Sequence, residues 1–571
     1  MKYIEFLKKI LNRKEKFNII YISILMVMNT LFELMSIGII LPIVTILLKK
    51  DFDFLPENLH EFVKSLDYFD LVKYLMLGII LIYIVKNLFI IFYNYQQGLF
   101  VRNLQIRVVG DLFEKYVFQN YSFFLQKNTG TILRNIDVSR IVSLCLVSYL
   151  IIALEILIIS CFLSYLLFIN FLPTIIITLI FVVFGLALYK ATKNKLYHWG
   201  NLKQDLDAKI NQQIIQTFSL IKNVKIFNKE KKMHNFFEKL LFNYENLTLK
   251  TDIVQQLPRG LVEILGVISI SILIAVLSAT GKDGVEILAL TAIYAAVAFR
   301  LIPSSTRIIT AAQRIRNYGP SLNLIKNEFS NLKKDRENTS KKIEPLRFEN
   351  LKFESVSFKY EEKNENTLSD LSLEIYQGEV VGIFGESGSG KSTLVNLISG
   401  LLKPSEGIIK INSKNLESEK KNWLASLGYV PQQVTLFNDT IERNISFFEN
   451  LNHNKNLVEK LNKVIIESNL ESFIKNLPEK ANTIVGENAA KLSGGQVQRI
   501  GIARALFNNP DFIIFDESTS SLDEKNENEI MQFIYSLKGR KTVLFISHKK
   551  EILNNCDRIF EVKNKQVLKI K

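Results

Sequence analysis

Six apolar runs crowd the first 312 residues, and nothing comparable follows them. They lie near Phe17 to Leu48, Leu71 to Leu99, Ile141 to Phe168, Leu172 to Tyr189, Leu261 to Ala279 and Val285 to Ala311. A helix of about 20 apolar residues crosses a bilayer's hydrocarbon core, and only helices and closed barrels satisfy their backbone there. The chain therefore divides into a six-helix membrane half and a water-facing half, as a length of 571 residues also suggests at roughly 150 residues per domain.

Loop charges orient the spans. Residues 190–259 carry thirteen Lys and Arg, and 101–140 carry six. The short connections at 169–172 and 278–286 hold one lysine between them. The positive-inside rule puts the amino terminus, both long loops and everything after residue 312 in the cytoplasm, with the chain crossing the cell's inner (plasma) membrane repeatedly. On this reading the net charge of +15 reflects basic loops facing anionic lipid, and no nucleic-acid partner is expected. The basic amino terminus (Lys8, Lys9, Arg13, Lys14, Lys16) precedes an apolar run too long for a signal peptide's core, so the first span is read as a retained anchor. Cys145, Cys161 and Cys556 lack metal-ligand spacing and read as reduced core residues.

The long loops are helix-like. Asn128-Thr129-Gly130 is a helix start, followed by Ile132, Ile136 and Ile141 at helical spacing, and Phe218 to Glu230 is amphipathic. In the outer loop, Leu59, Phe62, Val63 and Leu66 would share one face of a short helix. Residues 331–347 are charged and polar. They read as a linker between a membrane domain at 1–330 and a soluble domain at 348–571.

The soluble half carries its chemistry in a fixed order. Val380 to Phe384 is a buried-strand run, followed by Gly385-Glu386-Ser387-Gly388-Ser389-Gly390-Lys391-Ser392-Thr393 at a helix start. This is a P-loop in its required strand–loop–helix setting, an α/β nucleotide-binding fold. The glycines let backbone N–H groups wrap phosphates at a helix N-terminus, Lys391 reaches the outer phosphates, and Ser392 ligates Mg²⁺. Asp511 to Glu517 is a second buried strand ending in two carboxylates. Asp516 is placed to hold Mg²⁺ through its water shell, and Glu517 to polarise the attacking water, the minimum that phosphoryl transfer requires.

Between P-loop and carboxylates stands Leu492-Ser493-Gly494-Gly495-Gln496, and with it the chain resembles the ABC transporter family along nearly its whole length. The resemblance implies an exporter-type half-transporter, six spans fused to one ATP-binding cassette, with loops that extend the spans and end in short coupling helices at the ATPase. It implies that Gln432 is the Q-loop glutamine sensing Mg²⁺ and phosphate, His548 the switch histidine, and Tyr360 the aromatic that stacks on adenine. Ser520-Ser521-Leu522-Asp523 matches the D-loop, with serine for the usual alanine at 521. Ala489 stands where the loop before the signature commonly has glycine. Ser493, Gly494, Gly495 and Gln496 would cap an ATP held by another cassette's P-loop, so the working unit is a dimer of two copies or of this chain with an equivalent half-transporter.

Cargo is sought in the intramembrane charges, which are costly and need a purpose. Lys86 and Arg300 both lie about 15 residues from the outer ends of their helices, about 23 Å deep at 1.5 Å per residue. Arg300, Arg307 and Arg314 recur every seven residues on one helix face, and Arg259 falls near the same level. Two readings stay open. Glu33, Glu155 and Glu263 could neutralise these bases internally, or Lys86, Arg259, Arg300 and Arg307 could form a girdle for an anionic headgroup. Segments 32–42 (Phe32-Glu33-Leu34-Met35-Ser36-Ile37-Gly38-Ile39-Ile40-Leu41-Pro42), Gln256-Leu257-Pro258-Arg259 and 298–304 (Ala298-Phe299-Arg300-Leu301-Ile302-Pro303-Ser304) resemble PglK-type lipid-linked oligosaccharide flippases. That resemblance implies an anionic lipid-linked sugar moved outward from the cytoplasmic leaflet. A multidrug, peptide or lipid A exporter of the same fold is the alternative, and an ATP-gated channel or regulatory subunit a more distant one.

Overall fold

The computed structural model describes residues 2–38, 68–279, 284–332, 343–361, 365–451, 454–486, 492–519 and 523–571. The chain divides into two compact units, Met1–Gln119 with Gln126–Asp335, and Asn120–Leu125 with Arg336–Lys571. The expected outer-loop helix, most of the linker, the segment Ile39–Pro42, Ala489 and the first three D-loop residues lie outside the described residues.

Among the described residues of the first unit, six helices are long and apolar enough to cross a membrane. The spans are Arg13–Gly38, Tyr68–Val117, Ile141–Ile169, Phe171–Ser219, Glu230–Ala279 and Gly284–Asn317. Among the described residues their apolar stretches fall where the sequence places them, but three of the helices are far longer. The second, fourth and fifth spans have 50, 49 and 50 residues. At 1.5 Å per residue each is about 75 Å long, more than twice the bilayer's hydrocarbon thickness. The basic segments 190–219 and 230–259 are thus continuous helix, with only the short helix Ile221–Ile226 between them. An amphipathic helix, Lys2–Ile10, precedes the first span, with Phe6 and Leu7 buried and Lys8 and Lys9 exposed.

The loop between the second and third spans contains two short helices, Tyr121–Gln126 and Thr129–Val138. Asn128 caps the latter, its side chain accepting from the Gly130 N–H at 2.9 Å, which satisfies an otherwise orphaned donor. Glu328, on the helix Gly319–Asn331, accepts from the Tyr116 hydroxyl at 2.7 Å and from Lys127 Nζ at 2.8 Å. Asn135 donates to the same Tyr116 oxygen at 2.8 Å, so a partly buried polar network ties the second span, this loop and the last helix of the unit. The fourth span meets the end of the sixth closely: a Cβ on Gly200 would stand 2.3 Å from the Asn317 carbonyl.

The second unit carries two sheets. An antiparallel sheet has the order β2-β1-β4-β5, with β1 at Asn350–Phe358, β2 at Leu368–Tyr376, β4 at Glu406–Ile411 and β5 at Lys414–Asn415. The larger sheet runs β10-β9-β3-β8-β7-β6, with β3 at Val380–Phe384, β6 at Leu427–Val430, β7 at Phe512–Asp516, β8 at Thr542–Ser547, β9 at Arg558–Lys563 and β10 at Gln566–Lys569. The inner strands β9, β3, β8, β7 and β6 pair in parallel, and only β10 turns back. Every residue of β8 and the first four of both β3 and β7 are buried, as expected for parallel strands covered on both faces. This explains why the sequence shows continuous apolar runs there and no alternation.

Trp423 anchors one end of the sheet. It is fully buried against Phe348 and Phe512, with ring centroids at 5.6 and 5.3 Å. Its indole N–H donates to the Ile398 carbonyl at 2.9 Å. Phe512 begins β7 and Ile398 ends the P-loop helix, so one side chain fixes the roots of both elements that carry the chemistry.

Candidate functional site

The carboxyl ends of β3, β7 and β8 converge, and the predicted ATPase residues stand there. The P-loop leaves β3 and enters the helix Lys391–Ile398, whose N-cap Gly390 has φ +107°. An L side chain rarely adopts that backbone, and a Cβ at 390 would also press on Leu368 at 2.9 Å. Gly388 is left-handed too, at φ +81°, while a Cβ at Gly385 would meet the Val562 carbonyl at 2.7 Å. Ser387 is exposed, Ser392 is exposed on the helix's first turn, and Ser389 is half-buried in the loop. Helix dipole and loop N–H groups make this an anion cradle.

Lys391 is buried and curls into its own loop. Its Nζ donates to the carbonyls of Gly385 at 2.9 Å and Glu386 at 3.0 Å, and lies 3.5 Å from Glu517 Oε1. Glu517 follows β7 with φ +48°, an uncommon conformation held by its N–H donating to the Ile546 carbonyl of β8 at 3.1 Å. Its carboxylate stands 2.6 Å from His548 Nε2 and accepts from the Gln432 amide at 2.8 Å. The structure thus joins Lys391, Gln432, His548 and Glu517, four residues expected from sequence to serve one site, in one contact set. These pairings aim Glu517 from three sides, which is what positioning a reacting water requires.

Asp516, one residue earlier, is the last residue of β7. Burial pushes its carboxyl above the ordinary aspartate range, opposed by the hydrogen bond from the Tyr429 hydroxyl at 3.1 Å. A half-buried carboxylate whose charged form is disfavoured is a good partner for a divalent cation, which would restore that charge. Ser392, Asp516 and the Gln432 amide offer hard oxygen donors of the type Mg²⁺ takes alongside a nucleotide's phosphates. Among the described residues there is no cluster of three or more His, Cys, Asp or Glu that could hold a metal alone. Bound ATP with Mg²⁺ supplies the phosphoryl group and the neutralising cation; the chain supplies orientation.

Tyr360 sits edge-on to Phe358, centroids 4.9 Å apart, and its hydroxyl lies 3.1 Å from Thr393 Oγ1 at the start of the P-loop helix. The expected adenine-stacking tyrosine is therefore beside the phosphate cradle. The signature forms a different surface. Ser493 caps the helix Gly494–Leu506 in a reciprocal box with Gln496, by bonds of 3.3 and 2.9 Å. Ser493 and Gly494 are exposed, and among the described residues no hydrogen bond or ion pair links Ser493, Gly494, Gly495 or Gln496 to the P-loop of the same chain. Tyr429 and Trp423 were missed from sequence. No motif marks either of them, although Tyr429 precedes Gln432 by three residues on the strand beside β7.

In the membrane unit all four predicted bases are ion-paired. Glu33 of the first span receives Arg300 at 2.6 and 2.7 Å and Lys86 at 3.6 Å. Glu155 of the third span receives the Arg307 Nε and Nη2, and Ser304 also lies within reach of Nη2 at 3.4 Å. Arg259 reaches Glu263 one turn on, at 3.3 Å, on an exposed face. Of the two readings left open by sequence, internal pairing is present at every one of these bases. Arg314 stands in the last turn of the sixth helix.

Comparison with known proteins follows the same division. The family model for the ABC transporter transmembrane region matches residues 19–300, and that for the ABC transporter itself matches 368–520. The chain is 25% identical to the ATP-dependent lipid A-core flippase of Bordetella avium over 85% of its own length and 81% of that protein's. It is 28% identical to the flippase of the same name from Haemophilus influenzae, over 80% of this chain and 77% of that one. The leukotoxin export ATP-binding protein of Aggregatibacter actinomycetemcomitans is 40% identical over 38% of this chain, which there spans only 30% of its relative's length. A solved bacterial Atm1-family ABC exporter with ATP bound superposes with a TM-score of 0.80, at 20% identity, over 96% of this chain and 95% of that one, a likeness of fold.

Proposed function

This chain is an ABC transporter half-transporter, a membrane domain and an ATP-binding cassette on one polypeptide, and from that premise we propose that it flips an anionic lipid-linked sugar outward. Two copies work together in the cell's inner membrane, with the amino terminus and cassettes in the cytoplasm. Each copy's Ser493, Gly494 and Gly495 close over ATP held by the other's P-loop. Closure biases the spans outward, and hydrolysis at Glu517 with release of products resets them. The exposed capping box at Ser493 supports this, because an N-terminal helix end turned to solvent is a ready partner for phosphate.

The observation that carries the cargo is the pair of arginines on one face of the sixth span, Arg300 and Arg307, with Lys86 beside the first of them. Guanidinium at membrane depth suits a phosphate or diphosphate headgroup. Arg259 adds a fourth base near the fifth span's cytoplasmic portion. The relatives named as lipid A-core flippases favour a second reading, export of an anionic glycolipid of that kind, which would use the same bases.

The test is leaflet translocation of a fluorescent polyprenyl-diphosphate sugar in proteoliposomes. Movement should require ATP and Mg²⁺, stop with Glu517→Gln, and weaken with the pair Arg300→Gln and Arg307→Gln. Unimpaired movement in the double arginine variant would sink the headgroup assignment.

A further inference from the structure

Arg300 and Arg307 are held in the same way. Each sets its Nε and Nη2 side against a carboxylate from another span, Glu33 or Glu155; Arg307 donates from both nitrogens, while Arg300 donates from Nη2 and its Nε makes a close ion-pair contact. A guanidinium is planar with five donors, so a side-on pair leaves its far end, Nη1 above all, directed away from that carboxylate; at Arg307 the second Nη2 hydrogen has Ser304 Oγ within reach at 3.4 Å. The burial is asymmetric. The glutamate side chains are 5% and 4% exposed, while those of Arg300 and Arg307 are 20% and 41% exposed. The acids therefore lie behind the bases. Anything approaching from the open side meets arginine first, at two levels about 10 Å apart along the sixth span.

We propose that Glu33 and Glu155 are positioning residues that set the affinity of the transport site. Each fixes an arginine with its outer end toward an anionic headgroup and, by its own negative charge, weakens the hold of that end. A transport site must bind well enough to load and loosely enough to unload, the constraint that also governs conduction through channels. Bare arginines in a low-dielectric wall would grip a phosphate too tightly to release it. A buried carboxylate of fixed position moderates that grip without competing for space. The inference rests on the headgroup reading of Arg300 and Arg307 given above.

Glu155→Gln is the informative variant, because Arg307 is the more exposed arginine and the less enclosed when its partner's charge is removed. The measurement is ATPase stimulation in proteoliposomes titrated with a polyprenyl diphosphate, with the uncharged polyprenol as control. The concentration giving half-maximal stimulation should fall about three- to tenfold, as expected when one opposing charge is withdrawn from an ionic contact. The maximal rate should fall with it, release having slowed. Glu155→Asp, which keeps the charge, should return the half-maximal concentration toward that of the natural protein. Glu33→Gln should act in the same direction at the Arg300 level.

A half-maximal concentration that stays constant or rises in Glu155→Gln overturns the inference and leaves the carboxylates as ties between spans. So does an equal response to the polyprenol. Arg307→Gln separates the two ideas. If it raises the half-maximal concentration while Glu155→Gln does nothing, the headgroup site stands and this inference alone fails. If neither variant moves it, the headgroup reading fails as well.

Discussion

Replacing Glu33 with alanine should destabilise the membrane unit by about 3–5 kcal/mol, the usual cost of removing one partner from a buried ion pair. Glu33 is almost wholly buried, and two cations converge on it: Arg300 at 2.6 and 2.7 Å and Lys86 at 3.6 Å. At an effective dielectric near 20, one such pair at 4 Å carries about 4 kcal/mol of attraction. Loss of the carboxylate forfeits two of these attractions but not in full, since neither base is wholly enclosed, at 13% and 20% exposed. The three-residue replacement Glu33→Met, Lys86→Met and Arg300→Met removes the attraction and the desolvation cost together. It should cost no more than about 1 kcal/mol and could stabilise. Trp199 is in the membrane unit and Trp423 in the cassette, and the chain has two tryptophans. In a Trp423→Phe background, denaturant titration of detergent-solubilised protein followed by fluorescence thus reports the membrane unit. Equal losses for the single and triple replacements, or a single loss below about 1 kcal/mol, would refute the view that these charges stabilise only as a set.

Three further outcomes follow from the cassette. Asp516→Asn should raise the thermal stability of the nucleotide-free protein at neutral pH while removing its Mg²⁺-dependent ATPase. The native carboxyl titrates above its unfolded value, so stability falls as pH rises between the two and the full cost persists above the higher one; asparagine escapes it, and a lower melting temperature would contradict this. Glu517→Gln should cut ATP hydrolysis by about 10²–10⁴-fold while fluorescent ATP analogues still bind, and retention of a tenth of the rate would remove Glu517 from its role. Trp423→Ala should cost about 3–5 kcal/mol, read as earlier proteolysis of the cassette, because it opens a large cavity at the roots of β7 and the P-loop helix.

Local chemistry was legible and distant pairing was not. The P-loop, its flanking strand and the β7 carboxylates are recognisable because each needs particular residue types within a few positions, and Val380–Phe384 and Phe512–Asp516 stand where the apolar runs put them. Asn128 was readable as a cap for the same reason. Hydropathy marked the membrane-depth part of each span but not the long polar continuations, since lysine-rich amphipathic helix and loop have similar mean hydropathy. The i, i+4 pair Arg259–Glu263 could be foreseen on one helix. The partners of Arg300 and Arg307 lie 267 and 152 residues away in sequence, and only the packing of the sixth span against the first and third brings them together. The same holds for Tyr429 and Asp516, joined by the parallel register of β6 and β7.

The most direct test of the account is whether one copy's signature closes on the other copy's P-loop. Ser387 and Ser493 are both exposed, so the double replacement Ser387→Cys and Ser493→Cys can be made in a Glu517→Gln background and oxidised in membranes. With ATP and Mg²⁺ a covalently linked dimer should form, and little should form without nucleotide. Protein that runs at single-chain mass under both conditions would contradict the account.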